Sequence, residues 1–322
     1  MSCLVFLCQG LSSASKRLIC YNMTETEMEI VAGYHAEAKA ALSGGAEIDD
    51  PKSRLKTLDE MSRVAKRTTA YLEAYVMTAV FGRTHPARAN TRMARLGRRR
   101  REAGEEAELL SFEAFLEGAL DGVYFTAHGY TTDRLGDHDP KEIYAGIHKL
   151  IAQFHDLGYE VFANSGTLLG LVRDKAPIAH DDDIDLAVVL KSNTDVGAAQ
   201  EFSQLADKLI ALGLGDQSLR ESGAILKLPK IGGFQVDVFP AYGAWRRYKV
   251  FPYSFGDFTR RDVLPLGKCA VSGLPIPANP ETVLEVNYGK DWRIPDPRFA
   301  FPWGPQKKKF ATFLAEWNGE AV

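Results

Sequence analysis

The sequence predicts an α/β fold, a small mixed sheet flanked by helices and preceded by a helical N-terminal region. Three stretches carry that expectation. Tyr159–Leu190 runs strand, tight turn, short helix, loop, strand. Ala224–Leu228 and Phe234–Phe239 are two apolar, strand-like runs joined across Pro229-Lys230-Ile231-Gly232-Gly233, the pattern of a hairpin. From Thr24 to Phe81, by contrast, the apolar residues recur at helical spacing, and Leu109–Leu120 adds another helical piece.

With 322 residues the chain has room for one large or two ordinary domains. A hydrophobic share of 45% and a charged share of 25% are ordinary for a globular protein with a sizeable core. The formal net charge of −3 gives no global basic field, so nucleic acid is not an expected partner. Cys3, Cys8, Cys20 and Cys269 lack zinc-like spacing, which points to a reduced, cytoplasmic setting rather than a disulfide scaffold. No apolar run approaches the roughly 20 residues of a membrane span. Residues 1–22 carry no credible signal peptide and are expected to be a disordered leader or the product of a start called too early.

Thr24-Glu25-Thr26-Glu27 has capping-box spacing and opens a first helix that ends at Gly44-Gly45. A second helix is expected from about Lys52 to Phe81, with Leu55, Leu58, Met61, Ala65, Leu72, Val76 and Val80 on one face. A polar connector then leads to the basic run Arg92–Arg101, followed by Glu102, Glu105, Glu106 and Glu108. That run suits either peripheral contact with the inner face of an anionic membrane or, as mixed charge usually means, a solvated helix pairing with those glutamates. Leu109–Leu120 is helical, and Asp139-Pro140 starts another helix as N-cap and first residue. The domain boundary is placed near Gly136, giving a helical region 23–135 and a catalytic domain 136–322. Further on come helices at Ala198–Leu212 and Pro280–Tyr288, and a closing segment at Asp291–Pro295 that suits a lid or wall.

Chemistry concentrates at the centre. Asp183 and Asp185 lie two apart at a strand start and so point to one side. Two carboxylates that close repel each other, and a cation resolves the conflict. Asp237 sits alone between the β-branched Val236 and Val238. Buried and unpaired it would be costly, so it needs a partner: a divalent metal shared with Asp183 and Asp185, or else a loop N–H or Arg173. The turn Ser165-Gly166-Thr167 opens a helix whose N–H groups suit phosphate. A phosphate cradle beside a metal-binding carboxylate pair is equipment for phosphoryl transfer.

These residues resemble a family. SGTLLGLVR followed by DDDIDL, then VDVFP at Val236–Pro240 and DVLPLGKCAVSGLPIPANPETVLEVNYGKDWRIP at Asp262–Pro295, are similar to the LicD family, related to fukutin-type sugar-modifying transferases on a polymerase-beta-like nucleotidyltransferase fold. The resemblance spans about Tyr159–Asp296; residues 1–135 share nothing with it. It implies Mg²⁺ on Asp183, Asp185 and Asp237, with Asp181 a further ligand or base, and the phosphates against Ser165, Gly166 and Thr167. Where the family usually has Pro-Trp before the acidic run, this chain has Ala179-His180, which leaves the substrate wall open.

Around that set, Arg173 suits a bidentate grip on phosphate or a salt bridge to Asp174 or the acidic loop. His180 suits proton transfer or plain hydrogen bonding, and Lys227 and Lys230 suit nucleotide phosphates or solvent. Tyr288, Trp292 and Trp303 suit stacking on a base or sugar, or packing. The activity implied by the resemblance is transfer of phosphocholine or a polyol phosphate from a CDP-linked donor to a glycan or glycolipid acceptor. The alternatives are a nucleotidyltransferase moving NMP from an NTP, and a non-catalytic nucleotide- or glycan-binding module.

Overall fold

A computed structural model of the chain describes residues 23–126, 128–220, 223–253, 255–296, 299, 301 and 303–320. The expected leader 1–22 lies outside the described residues. The protein is mixed α/β, with helices first and the main sheet after them.

Helix α1 (Glu25–Leu42) starts on the capping box formed by Thr24 and Glu27. The single helix expected over 52–81 is instead two, α2 (Pro51–Glu60) and α3 (Thr69–Phe81), with a short 3₁₀ turn at Ala65–Arg67 between them. The break has a local cause. Thr68 takes an extended backbone and its hydroxyl accepts the Tyr71 N–H at 3.2 Å, so a fresh N-cap outcompetes continuation. Ser62 likewise turns away to donate its N–H to Glu27 at 2.7 Å. Helix α3 is buried on all sides from Tyr71 to Val80 and forms the axis of the first core.

Helix α4 (Pro86–Ala103) carries the basic run and α5 (Glu106–Leu120) follows it. The arginines pair mainly with earlier helices, not with the glutamates that follow. Arg88 and Arg92 bind Asp59 at 2.9 and 2.5 Å, and Arg100 binds the buried Glu73, which His35 also reaches at 2.8 Å. Arg101 and Glu106, 3.9 Å apart, form the one contact of the expected kind among the described residues. No helix among the described residues is long and apolar enough to cross a membrane.

A small hairpin, β1 (Tyr124–Phe125) and β2 (Tyr130–Thr131), leads to α6 (Pro140–Asp156), capped by Asp139. Then come β3 (Glu160–Ala163), α7 (Ser165–Leu169) with a π-helical turn at Gly170–Asp174, β4 (Asp183–Val189) and α8 (Asp195–Ala211). The strands β5 (Leu226–Ile231), β6 (Phe234–Ala244) and β7 (Arg247–Val250) complete a sheet of order β3-β4-β6-β5, with β7 also on β6. Only the β4–β6 pairing is parallel. The remainder comprises α9 (Arg260–Val263), the small ladder β8 (Gly267–Lys268) and β9 (Pro275–Ile276), α10 (Pro280–Tyr288), α11 (Trp303–Lys309) and α12 (Ala311–Trp317). In α12, Phe313 stacks on Tyr242 of β6 at 5.3 Å, closing one face of the sheet.

Two hydrophobic cores result, one drawn from Val31 to Phe125 and one from Leu135 to Phe313. Thr68→Ala is expected to cost the first core about 1 kcal/mol, read as a shift in the urea midpoint by far-UV circular dichroism. Thr68→Ser should restore it; an unchanged midpoint for the alanine variant contradicts the capping account.

Candidate active site

The parallel register sets Asp185 of β4 directly beside Asp237 of β6, and Asp183 precedes Asp185 on the same side. Asp185 and Asp237 are 8% and 7% exposed. With Asp181 and Asp182 from the preceding loop, they line one cavity of about 710 Å³. The sequence-predicted acidic residues thus share a wall.

Crowding carboxylates in a dry place has a charge cost. Burial, then the neighbouring Asp183, Asp181 and Asp237, push Asp185 well above the usual carboxylate range. Burial and Asp183 do the same to Asp181, and burial raises Asp183 despite His128 beside it.

The turn after β3 is built around this wall. Ser165 adopts a φ of +35°, which is unfavourable for a residue with a side chain. Its N–H donates to the Tyr253 hydroxyl at 3.1 Å, and that hydroxyl donates to Asn164 Oδ1 at 2.5 Å. From α10, the Asn287 amide reaches Ser165 Oγ at 3.5 Å. Asn164 Nδ2 and Asn287 Oδ1 are buried with no hydrogen-bonding partner among the described residues, and Asn287 borders the cavity.

The Gly166 N–H donates to Asp185 Oδ2 at 2.8 Å, and the Asp185 N–H donates to Thr167 Oγ1 at 2.9 Å. A Cβ on Gly166 would stand 2.6 Å from Asp181 Oδ2 and 3.2 Å from Asp185 Oδ2, so only glycine lets the carboxylates come this close. Ser165 and Gly166 border the cavity, while Thr167 faces the smaller pocket behind it.

Two basic groups meet the acidic wall. Lys227 of β5, directly across from Asp237, donates to both its oxygens at 2.9 and 3.1 Å. Of the partners weighed for Asp237 none was Lys227; a lysine one strand over has no signature in sequence spacing. Arg173 borders the cavity but is engaged bidentately by Asp174 at 2.7 and 2.8 Å, the salt-bridge option for that residue.

His128, in the β1–β2 hairpin, is the second. Its Nδ1 lies 2.7 Å from Asp182 Oδ1 and its Nε2 3.5 Å from Asp183 Oδ2. The Asp182 hydrogen bond, against the pull of burial, raises its pKa to about 10, so it is an imidazolium at neutral pH. Thr126 adds a hydroxyl to Asp182 at 2.7 Å. Burial alone would raise Asp182, yet His128 and Thr126 bring it below its ordinary value. Sequence reading missed His128, more than fifty residues upstream of its partners, because nothing local marks it.

Two sets of residues have the chemistry of a metal site. The ligand atoms of His128, Asp182 and Asp183 lie within 4.8 Å of one another. In this structure His128 is engaged by both carboxylates, so that cluster is an ion-pair network. Asp183, Asp185 and Asp237, the predicted ligands, do not form so tight a group among the described residues, and Lys227 engages Asp237. Their oxygen-only donor set, with Asp181 adjoining, fits a hard divalent cation such as Mg²⁺.

No curated protein matches the chain. A family model described as LicD/FKTN/FKRP, nucleotidyltransferase domain, matches residues 158–279. That stretch holds β3, the Ser165 turn, the acidic loop, β4 and the whole of the β5–β6 hairpin. Transferase activity in general goes with that family. The chain therefore carries, on the very elements that build the acidic wall, a nucleotidyltransferase domain of the LicD family.

Proposed function

We propose that the protein is a Mg²⁺-dependent transferase moving a phospho-substituent, such as phosphocholine or a polyol phosphate, from a CDP-linked donor to a hydroxyl of a glycan or glycolipid. The observation that carries this reading is the set of carboxylates on one cavity, Asp181, Asp182 and Asp183 with the buried Asp185 and Asp237, within a LicD-family domain. Bound there, Mg²⁺ would neutralise the donor's diphosphate.

Asp183, Asp185 and Asp237 would hold the ion, and the Gly166 N–H and Thr167 keep Asp185 in place. Lys227 is 46% exposed on its side chain, so it can turn from Asp237 to a phosphate oxygen without leaving solvent. Arg173 at the same cavity supplies a second positive group. Asp181, which borders the same cavity, is the base that takes the acceptor's proton. The acceptor oxygen attacks the phosphorus carrying the transferred group in line, the bond from that phosphorus to the bridging oxygen breaks, and CMP leaves.

Release of CMP from CDP-linked donors in the presence of Mg²⁺ tests the reading. Asp185→Asn should lower turnover by about a hundredfold or more, whereas Arg173→Lys should weaken donor binding with part of the turnover kept. Turnover only with ATP or GTP contradicts the donor class and favours an NMP transferase. Near-normal turnover of Asp185→Asn contradicts the site.

A second prediction concerns stability without metal. Asp185 holds its proton more tightly folded than unfolded, so its contribution is complete below the ordinary carboxylate pKa of about 4 and is lost as pH rises through the raised value. In chelator, Asp185→Asn should therefore melt higher than the parent at neutral pH, with the gain shrinking toward pH of about 4. Differential scanning calorimetry across that range checks it; a variant less stable at neutral pH assigns the carboxylate a structural role.

A further inference from the structure

The cavity in front of the acidic wall has a second side, and the LicD-type domain does not make it. Ala87, Asn90 and Thr91 come from α4, and Leu116, Glu117 and Leu120 from α5. The first-core helices thus reach the same space as the carboxylates. Their connection to the acidic loop is direct, since Thr126 and His128 both bond Asp182 and the Leu135 N–H donates to Asp181 O at 2.8 Å.

Asn90 is the odd residue of this wall. The buried positions of α4 are Ala89, Asn90, Met93, Leu96 and Gly97, so it is the one polar side chain among them. It is 5% exposed and borders the cavity, and no protein group among the described residues bonds its carboxamide, whose polar atoms, unlike Asn164 Nδ2 and Asn287 Oδ1, are not sealed from the cavity's solvent. Its polar neighbours on α4 have protein partners. Thr91 donates to Ala87 O at 2.9 Å, and Arg88 and Arg92 are committed to Asp59. Buried polar groups are normally paired, and a carboxamide has two N–H donors and an acceptor oxygen to satisfy. A ligand in the cavity supplies what the protein does not.

We propose that Asn90 is a substrate-binding residue, and that the N-terminal helical region is the acceptor-binding half of the site. This rests on the transferase reading of the acidic wall. The ligand class follows from the surroundings. Of the residues that α4 and α5 place on the cavity none is a lysine or arginine, so this side does not suit a phosphate. A carboxamide beside Leu116 and Leu120 suits an uncharged polyhydroxyl compound, whose hydroxyls pair with the amide while its C–H face lies on the leucines. The acceptor hydroxyl is thereby held in the same cavity as Asp181.

The test uses the full chain labelled with ¹⁵N, with the Asn90 side-chain amide assigned by its absence in Asn90→Leu. N-acetylglucosamine and ribitol serve as neutral probes and inorganic phosphate as the charged control, and CDP with Mg²⁺ is titrated separately. The neutral probes should shift the Asn90 amide and phosphate should not. Asn90→Leu should bind the neutral probes about tenfold more weakly and CDP–Mg²⁺ as the parent does. Its melting temperature should hold or rise, because no protein partner is left unpaired. An unmoved amide, equal probe binding by the variant, or a lower melting temperature together with loss of CDP binding overturns the proposal. Failure of the parent chain to bind CDP–Mg²⁺ speaks against the transferase reading alone, since the neutral-probe shift still decides the role of Asn90.

Discussion

Repulsion among the carboxylates of β4, β6 and the loop before β4 is the constraint on which the rest of the sheet-bearing half depends. Parallel pairing of β4 and β6 makes it unavoidable, because the register that buries Ile184, Leu186, Val236 and Val238 also sets Asp185 beside Asp237. A slip of one residue would turn every one of these side chains to the opposite face. The hydrophobic pattern therefore fixes the charge cluster in place, and the sheet cannot keep its core without keeping its acids together.

Much of the surrounding structure offsets that repulsion. Gly166 and Thr167 hold Asp185 from the turn side, Lys227 engages Asp237 from the next strand, and His128 bridges Asp182 and Asp183 from the first core's hairpin. Each of these contacts brings a distant piece of chain to one wall. The uncommon φ of Ser165 belongs to the same arrangement, since Tyr253, Asn164 and Asn287 pin the turn so that its N–H faces the acid. Burial and the neighbouring carboxylates raise the pKa values of Asp181 and Asp185, and under the proposed reading a divalent cation would offset that repulsion.

What was legible in the sequence followed from short-range periodicity. Alternation over Ile184–Leu190 placed Asp183 and Asp185 on one side, the two glycines of the hairpin located β5 and β6, and Asp139-Pro140 marked the start of α6. Contacts between strands and between cores were not legible. Lys227 meets Asp237 only through the antiparallel register of β5, and His128 meets Asp182 only once the first core has docked. The apolar stripe over 52–81 ran unbroken because its periodicity survives the turn at Ala65–Arg67, so the cap at Thr68 was hidden by it. Arg92–Arg101 pairs largely with Asp59 and Glu73, whose proximity is tertiary and not sequential.

The central claim is that the β4 and β6 carboxylates, and not the histidine cluster beside them, hold the divalent ion. Anomalous scattering from crystals grown with Mn²⁺ and CDP tests it most directly. The account predicts a single strong peak within about 2.0–2.5 Å of oxygens from Asp183, Asp185 and Asp237, with Lys227 turned away from Asp237. A peak instead at His128 and Asp182, or none at the wall while CDP is bound, would contradict it.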